Sequence, residues 1–209
     1  MTPLQLFDKL FEEEGTLGKG ITVGKVQVAI HCPAGTRTQP SSIFQLVERH
    51  SATSSNSNNS LSRMANDICV DLIRKSDDWV AACSSSKWFG SNDAGKAERY
   101  YNDLCNMEAT KFEKTYLPDS NEKKDDGNSD STIVVVSLVL EVQGDSTNFD
   151  GAGYSITQTK EVLSSIASDC LVDDGYCVNA VEVLWTPSDR KEVLTKTDVI
   201  LDFPELIDL

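Results

Sequence analysis

Positive charge is what this sequence has least of. Against 33 Asp and Glu, its 209 residues hold only 19 Lys and Arg, for a formal net charge of −14. Nucleic-acid binders displace phosphate counterions with Lys and Arg, so this balance excludes a nucleic-acid partner. It equally excludes docking on anionic lipid through a basic face. Long apolar runs are missing too. The longest, Ile133 to Leu140, is interrupted by Ser137, whereas a spanning helix needs about 20 apolar residues. No direct membrane span is expected. The opening Met1–Glu14 carries Asp8, Glu12, Glu13 and Glu14 with Lys9 as its one base. Signal peptides are basic at their start and transit peptides are poor in acids, so neither is visible. Read as a full precursor, the chain would be cytosolic.

Metal and nucleophile chemistry is equally thin. There are two histidines, His31 and His50, and no Cys-x-x-Cys pair. His31 adjoins Cys32, but neighbours on a strand point to opposite faces and cannot readily grip one ion. No metal or other cofactor is expected. No serine sits in a Gly-x-Ser-x-Gly elbow. The glycine-rich stretch Gly15–Lys25 lacks the Gly-x-x-x-x-Gly-Lys-[Ser/Thr] spacing of a phosphate loop, and it precedes a strand instead of following one. Asp77-Asp78 and Asp173-Asp174 are carboxylate pairs in turn contexts, where Asp bonds its own backbone. Asn58-Asn59-Ser60 is a glycosylation sequon without a secretory signal to use it. No catalytic residue is therefore nominated.

What is present is an ordinary globular composition, with 39% hydrophobic and 25% charged residues. A chain of this length buries roughly 70% of its unfolded surface and needs no staples. The six cysteines, Cys32, Cys69, Cys83, Cys105, Cys170 and Cys177, accordingly read as buried free thiols. Cys170 and Cys177 flank a turn and form the best-placed pair for a disulfide.

Periodicity gives the elements. Residues 3–14 read as a short amphipathic helix with Leu4, Phe7, Leu10 and Phe11 on one stripe. The stripe packs on the domain's own core or docks on a partner. Glycines 15, 18, 20 and 24 form a lead-in, so residues 1–18 stand apart from a single domain at 19–209. Val26, Val28 and Ile30 alternate on a strand over 25–30. Helices follow at 41–49, from 61 to 75 or beyond with Trp79 closing its stripe, and at 95–116, where Ala97, Tyr101, Leu104 and Glu108 line up. The Ser/Asn tract 52–60 and the charged tract 119–130 read as flexible loops. Ile133–Val142, apolar at nearly every position, suits a strand covered on both faces. Ser155-x-x-Gln158 and Thr195-x-x-Asp198 read as helix caps. The strand between them, Tyr176–Trp185, puts Val181, Val183 and Trp185 on one face. The order predicts an α+β fold, with helices on a small sheet of about three or more strands and a final β-α-β unit. That unit would cross right-handed if its strands were parallel.

The C-terminal pieces Val181-Glu-Val-Leu-Trp-Thr-Pro-Ser188 and Leu194-Thr-Lys-Thr-Asp-Val-Ile-Leu-Asp-Phe-Pro-Glu-Leu206 resemble the end of the domain-of-unknown-function family numbered 1517. Upstream, Gly24–Ala29, Asp71–Ala81 and Ala109–Lys114 agree with it in order, so the resemblance spans about residues 19–209. The family occurs in cyanobacteria and plastid-bearing eukaryotes. Its plant members resemble proteins of acclimation to fluctuating light, with effects on photoprotection and proton balance. The resemblance implies plastid residence and a protein partner, such as a photosynthetic or plastid membrane complex. It carries no catalytic residue. Its motif residues Trp79, Trp185, Pro187, Asp202 and Pro204 have structural jobs, closing elements and sealing the core edge.

The expectation is a non-enzymatic accessory or regulatory protein of a photosynthetic organelle, acting by protein–protein binding. The alternatives are an enzyme with a dispersed site and an ion or pH sensor using an acidic face. Residues 141–209 hold 14 acids and 4 bases, so the acidity is concentrated there.

Overall fold

A computed structural model of the chain describes residues 13–53, 57–112 and 130–209. Leu4, Phe7, Leu10 and Phe11 lie outside the described residues, as does most of the 119–130 tract. The glycine lead-in is not a bare tether where it is described. Residues 14–19 form a hairpin of β1 (Glu14–Gly15) and β2 (Gly18–Lys19). The hairpin needs glycine at position 18, which has φ +97°, and a Cβ there would lie 2.1 Å from Asp145 Oδ1. Lys19 N–H donates to that carboxylate at 3.0 Å. Thr16 donates to Asp173 at 2.5 Å, and Leu17 is buried in the main core. These contacts tie the hairpin to the body of the sheet.

β3 (Ile21–Cys32) begins earlier than its alternating valines indicate. It runs through Gly24, where the Phe149 ring fills the space a side chain would take. α1 (Ile43–Thr53) and α2 (Asn58–Arg74) enter the expected 52–60 loop from both sides. β4 (Trp79–Phe89) is a strand for which the sequence shows no pattern. Trp79 opens it instead of closing the helix before it, and its indole N–H donates back to Leu72 O at 3.1 Å. α3 (Ala94–Phe112), β5 (Thr132–Gln143), α4 (Ile156–Asp169), β6 (Val178–Thr186), α5 (Lys196–Asp202) and β7 (Ile207–Asp208) complete the chain. Ser155 caps α4 by accepting from Gln158 N–H, and Thr195 with Asp198 forms a full capping box on α5.

The fold is α+β. Five strands form one antiparallel sheet in the order β6-β5-β3-β4-β7. The β5–α4–β6 unit is present, but its strands pair antiparallel, so the right-handed rule for parallel crossovers does not apply.

The sheet's two faces differ. On the first, Val26, Val28 and Ile30 of β3 lie with Val134, Val136, Leu138, Leu140 and Val142 of β5 and Val181, Val183 and Trp185 of β6. This face packs against Phe44 and Val47 of α1, Ile68 and Leu72 of α2, and Val162, Leu163 and Ile166 of α4 in one apolar core. The second face carries two smaller apolar clusters. Ile21, Val23, Phe89 and Val139 pack under Ala97 and Leu104 of α3. Ala29, Ala81 and Val135 pack under Leu194, Val199 and Phe203. Between these clusters the sheet is polar.

Candidate functional site

The polar strip of the second face is built from register. Lys25 and Gln27 of β3 lie opposite Val139 and Ser137 of β5 and opposite Ser85 and Cys83 of β4. α3 covers them and lowers Glu108 into the gap. Glu108 accepts from Lys25 Nζ at 2.7 Å, from Gln27 Nε2 at 2.9 Å and from Lys111 Nζ at 3.1 Å. Glu205, between α5 and β7, closes the ring: its Oε1 lies 2.8 Å from Lys111 Nζ and 3.2 Å from Lys25 Nζ. Gln27 also donates to Ser137 Oγ at 2.8 Å, and the Cys83 thiol donates to Gln27 Oε1 at 3.3 Å. Lys111 stands over the Phe203 ring at 4.4 Å. Two lysines against two glutamates leave the set neutral. The side chains of Lys25 and Glu108 are only 5% and 1% exposed, which is tolerable because each is paired and hydrogen-bonded.

The pairing sets the charge states. Burial alone would lower Lys25, but the hydrogen bond and charge of Glu108, with those of Glu205, hold it above the usual lysine value. Burial pushes Glu205 up, yet the hydrogen bond from Lys111 and the two lysine charges leave it below the usual carboxylate range. Burial pushes the Cys83 thiol up to about 12. Cys170 is likewise raised by burial, to about 12, and Cys105 to about 11. All six cysteines are free, including Cys170 and Cys177. The thiols of Cys83, Cys105 and Cys170 are protonated donors or core groups, far from the thiolate character a nucleophile needs. His31 is exposed and Cys32 buried, so the two face apart. Among the described residues no group of His, Cys, Asp and Glu could hold a metal.

Beside this network opens a cleft of about 270 Å³. Its floor is Lys25, Cys83 and Ser85, and its walls are Asp150 and Tyr154 on one side and Glu205 and Ile207 on the other. It forms where β7 leaves β4. β3 pairs with β4 from Ile21 to Ile30, but β7 covers only Ala81 and Ala82. Gly153 makes the close approach possible. A Cβ there would lie 2.3 Å from Ala82 O and 3.1 Å from Ile207 Cβ. Past Ala82, among the described residues, the outer edge of β4 has no strand partner, and Ser85, Ser86 and Lys87 are exposed. Tyr154 (74% exposed) and Ile207 (44%) present apolar surface at the mouth.

The motif residues sit elsewhere. Trp79 is buried, Trp185 is half-buried on β6 against the apolar core, and Pro187 is buried just past the end of β6. Asp202 ends α5, and Pro204 follows Phe203.

The model of the family described as "Protein of unknown function (DUF1517)" matches residues 20–209. The chain belongs to this family. Its sequence is also similar to Protein FLAP1 homolog A of Synechocystis, 26% identical over 170 residues. The match covers 71% of this chain and 46% of that relative, so the chain spans about half the length of the curated relative it matches. No solved structure matches the chain. Three of the segments that carry the family resemblance meet in the buried network. Lys25 and Gln27 come from Gly24–Ala29, Lys111 from Ala109–Lys114, and Glu205 from the Asp202–Leu206 piece. The network and cleft residues carry no local sequence motif. The one sign of them is Glu108, an acid on the apolar stripe of its helix.

Proposed function

We propose that this DUF1517 protein is a non-enzymatic accessory or regulatory component of a photosynthetic organelle, resident in the plastid and acting by binding another protein. Family membership, and likeness to a relative named Protein FLAP1 homolog A, support the photosynthetic setting. The observation that carries the binding reading is the division of labour around the cleft. The ionisable groups, Lys25, Glu108, Lys111 and Glu205, are spent on one another. The uncommitted features beside them are a strand edge and exposed Tyr154 and Ile207, the kind of surface that takes a polypeptide. None of the described helices is long and apolar enough to cross a membrane. A role in photoprotection or proton balance would then be exerted through the partner.

The test is capture of the tagged full chain from detergent-solubilised photosynthetic membranes. Recovery with a photosynthetic membrane complex is the expected result. Recovery only as a free monomer, from membranes and soluble fraction alike, would sink the proposal.

A further inference from the structure

The open edge of β4 has an orientation that can be worked out residue by residue. Leu209 N–H donates to Val80 O at 3.1 Å, and Ala82 lies opposite Ile207 in the same pairing. In an antiparallel ladder the outward-facing backbone groups recur at every second residue. The β4–β3 register is unbroken from Ala81 to Phe89. The backbone N–H and C=O of Ser84 and Ser86 therefore point away from the sheet, in line with the groups that β7 satisfies at Ala82. An exposed edge of this kind is a template for another strand unless it is covered or blunted.

The cleft lies at the start of this edge, where a side chain of an added strand would enter it. One wall offers an acid to a partner. Asp150 is exposed and has no ion-pair partner among the described residues, whereas Glu205 is already paired with Lys25 and Lys111. The Lys25 charge at the floor is already neutralised by Glu108 and Glu205. The chain as a whole carries −14. Tyr154 and Ile207 add apolar contact on either side of the entrance. Backbone pairing would supply affinity and Asp150 would supply preference.

We infer that the edge of β4 at Ser84–Lys87 is a β-augmentation site for an extended segment of a protein partner, with a Lys or Arg side chain of that segment inserted into the cleft beside Asp150. The inference rests on the protein-binding reading above and adds the place, the geometry and the chemistry of the partner.

The probe is a fluorescent peptide of alternating Lys and Val. It is compared with its Glu/Val counterpart and with a Lys/Val peptide N-methylated at alternate amides. Titration with the full chain should bind the first at least about tenfold more tightly than either control, as main-chain pairing plus charge requires. Ser86→Pro removes one outward N–H and leaves the β3 side of the strand intact, a position where sheets tolerate proline. This variant should keep its melting temperature within a few degrees and lose about tenfold in affinity. Asp150→Asn, on an exposed loop, should weaken the Lys/Val peptide and not the Glu/Val one. Equal binding of methylated and unmethylated peptides would overturn the inference, since attraction to an acidic surface alone would explain it. No binding by the wild-type chain would overturn it too. So would binding that appears only with Phe7→Asp and Phe11→Asp, because the chain's own N-terminal segment would then be the occupant. A wild-type dimer converted to monomer by Ser86→Pro would assign the edge to a second copy instead. If Ser86→Pro still captures a photosynthetic complex, this site falls and the accessory reading stands.

Discussion

The two faces of the central sheet solve the same burial problem with different chemistry. The first face is one continuous apolar core under α1, α2 and α4. The second is two apolar patches held apart by a neutral ring of charges under α3. Apolar packing is non-directional and scales with area. A buried ion-pair ring is directional, and its net contribution to stability is small unless a partner is lost. The first face therefore gives the fold its depth. The second fixes where α3 and the C-terminal segment sit, and with them the position of the cleft.

The sharpest way to break this contrast is to remove the carboxylate at its centre. Glu108→Ala leaves Lys25, Gln27 and Lys111 without their shared acceptor. The loss should be about 3–5 kcal/mol, read by urea denaturation. Replacing both partners, as in Lys25→Met with Glu108→Met, should recover much of it, because a well-packed apolar pair can match a buried ion pair. Double-variant losses equal to the sum of the two single losses would show that the ring is not coupled.

The matching experiment on the first face is Leu163→Ala, at a fully buried site of α4. It should cost about 2–5 kcal/mol through lost burial and the cavity left behind. Unlike changes in the ring, its effect should be the same at acid, neutral and alkaline pH. A pH-dependent loss would mean that the two faces are not energetically separate.

Titration sharpens the comparison from the other side, with a smaller effect. The Glu205 carboxyl is held below its usual value, so its contribution is present above the unfolded-state value near 4.5 and is lost as pH falls through the folded-state value. Lys25 is held above its usual 10.5, so its contribution is complete below that and is lost as pH rises through the folded-state value. Between these limits neither Glu205 nor Lys25 adds slope. Melting temperatures of Glu205→Gln and wild type should differ most at neutral pH and converge in acid.

How much of this could be read beforehand follows from the same contrast. The apolar face was legible. Val26, Val28 and Ile30, and Val181, Val183 and Trp185, carry the period-two signal, the Ile133–Val142 run is apolar almost throughout, and all appear in the sheet as expected. β4 was not, because Cys83-Ser-Ser-Ser-Lys87 offers no apolar alternation. It is a strand because β3 pairs with it along its length. The ring was hidden for a similar reason. Lys25 and Gln27 are polar residues alternating with the apolar face of their strand, and it is α3, with Glu108 lying 81 residues beyond Gln27, that covers them. Glu205 is brought to them by the turn after α5. Tertiary partners decide these positions, and local pattern does not carry that information.

The smallest effect worth measuring concerns how α5 is joined to the second face. Thr195 and Asp198 satisfy the first turn of this short helix, and Thr195→Ala should cost about 1 kcal/mol. Val199 and Phe203 pack on the Ala29–Val135 patch, and Lys111 sits over the Phe203 ring. If the helix and the charged ring are separate units, hydrogen exchange should accelerate in α5 alone, and the acid limb of the melting curve should stay in place. If the acid limb moves with the cap, the Phe203–Lys111 contact carries the loss into Glu205 and Lys25. The edge of β4 would then depend on the C-terminal helix as well as on its own backbone, and peptide affinity at the cleft should fall in the same variant.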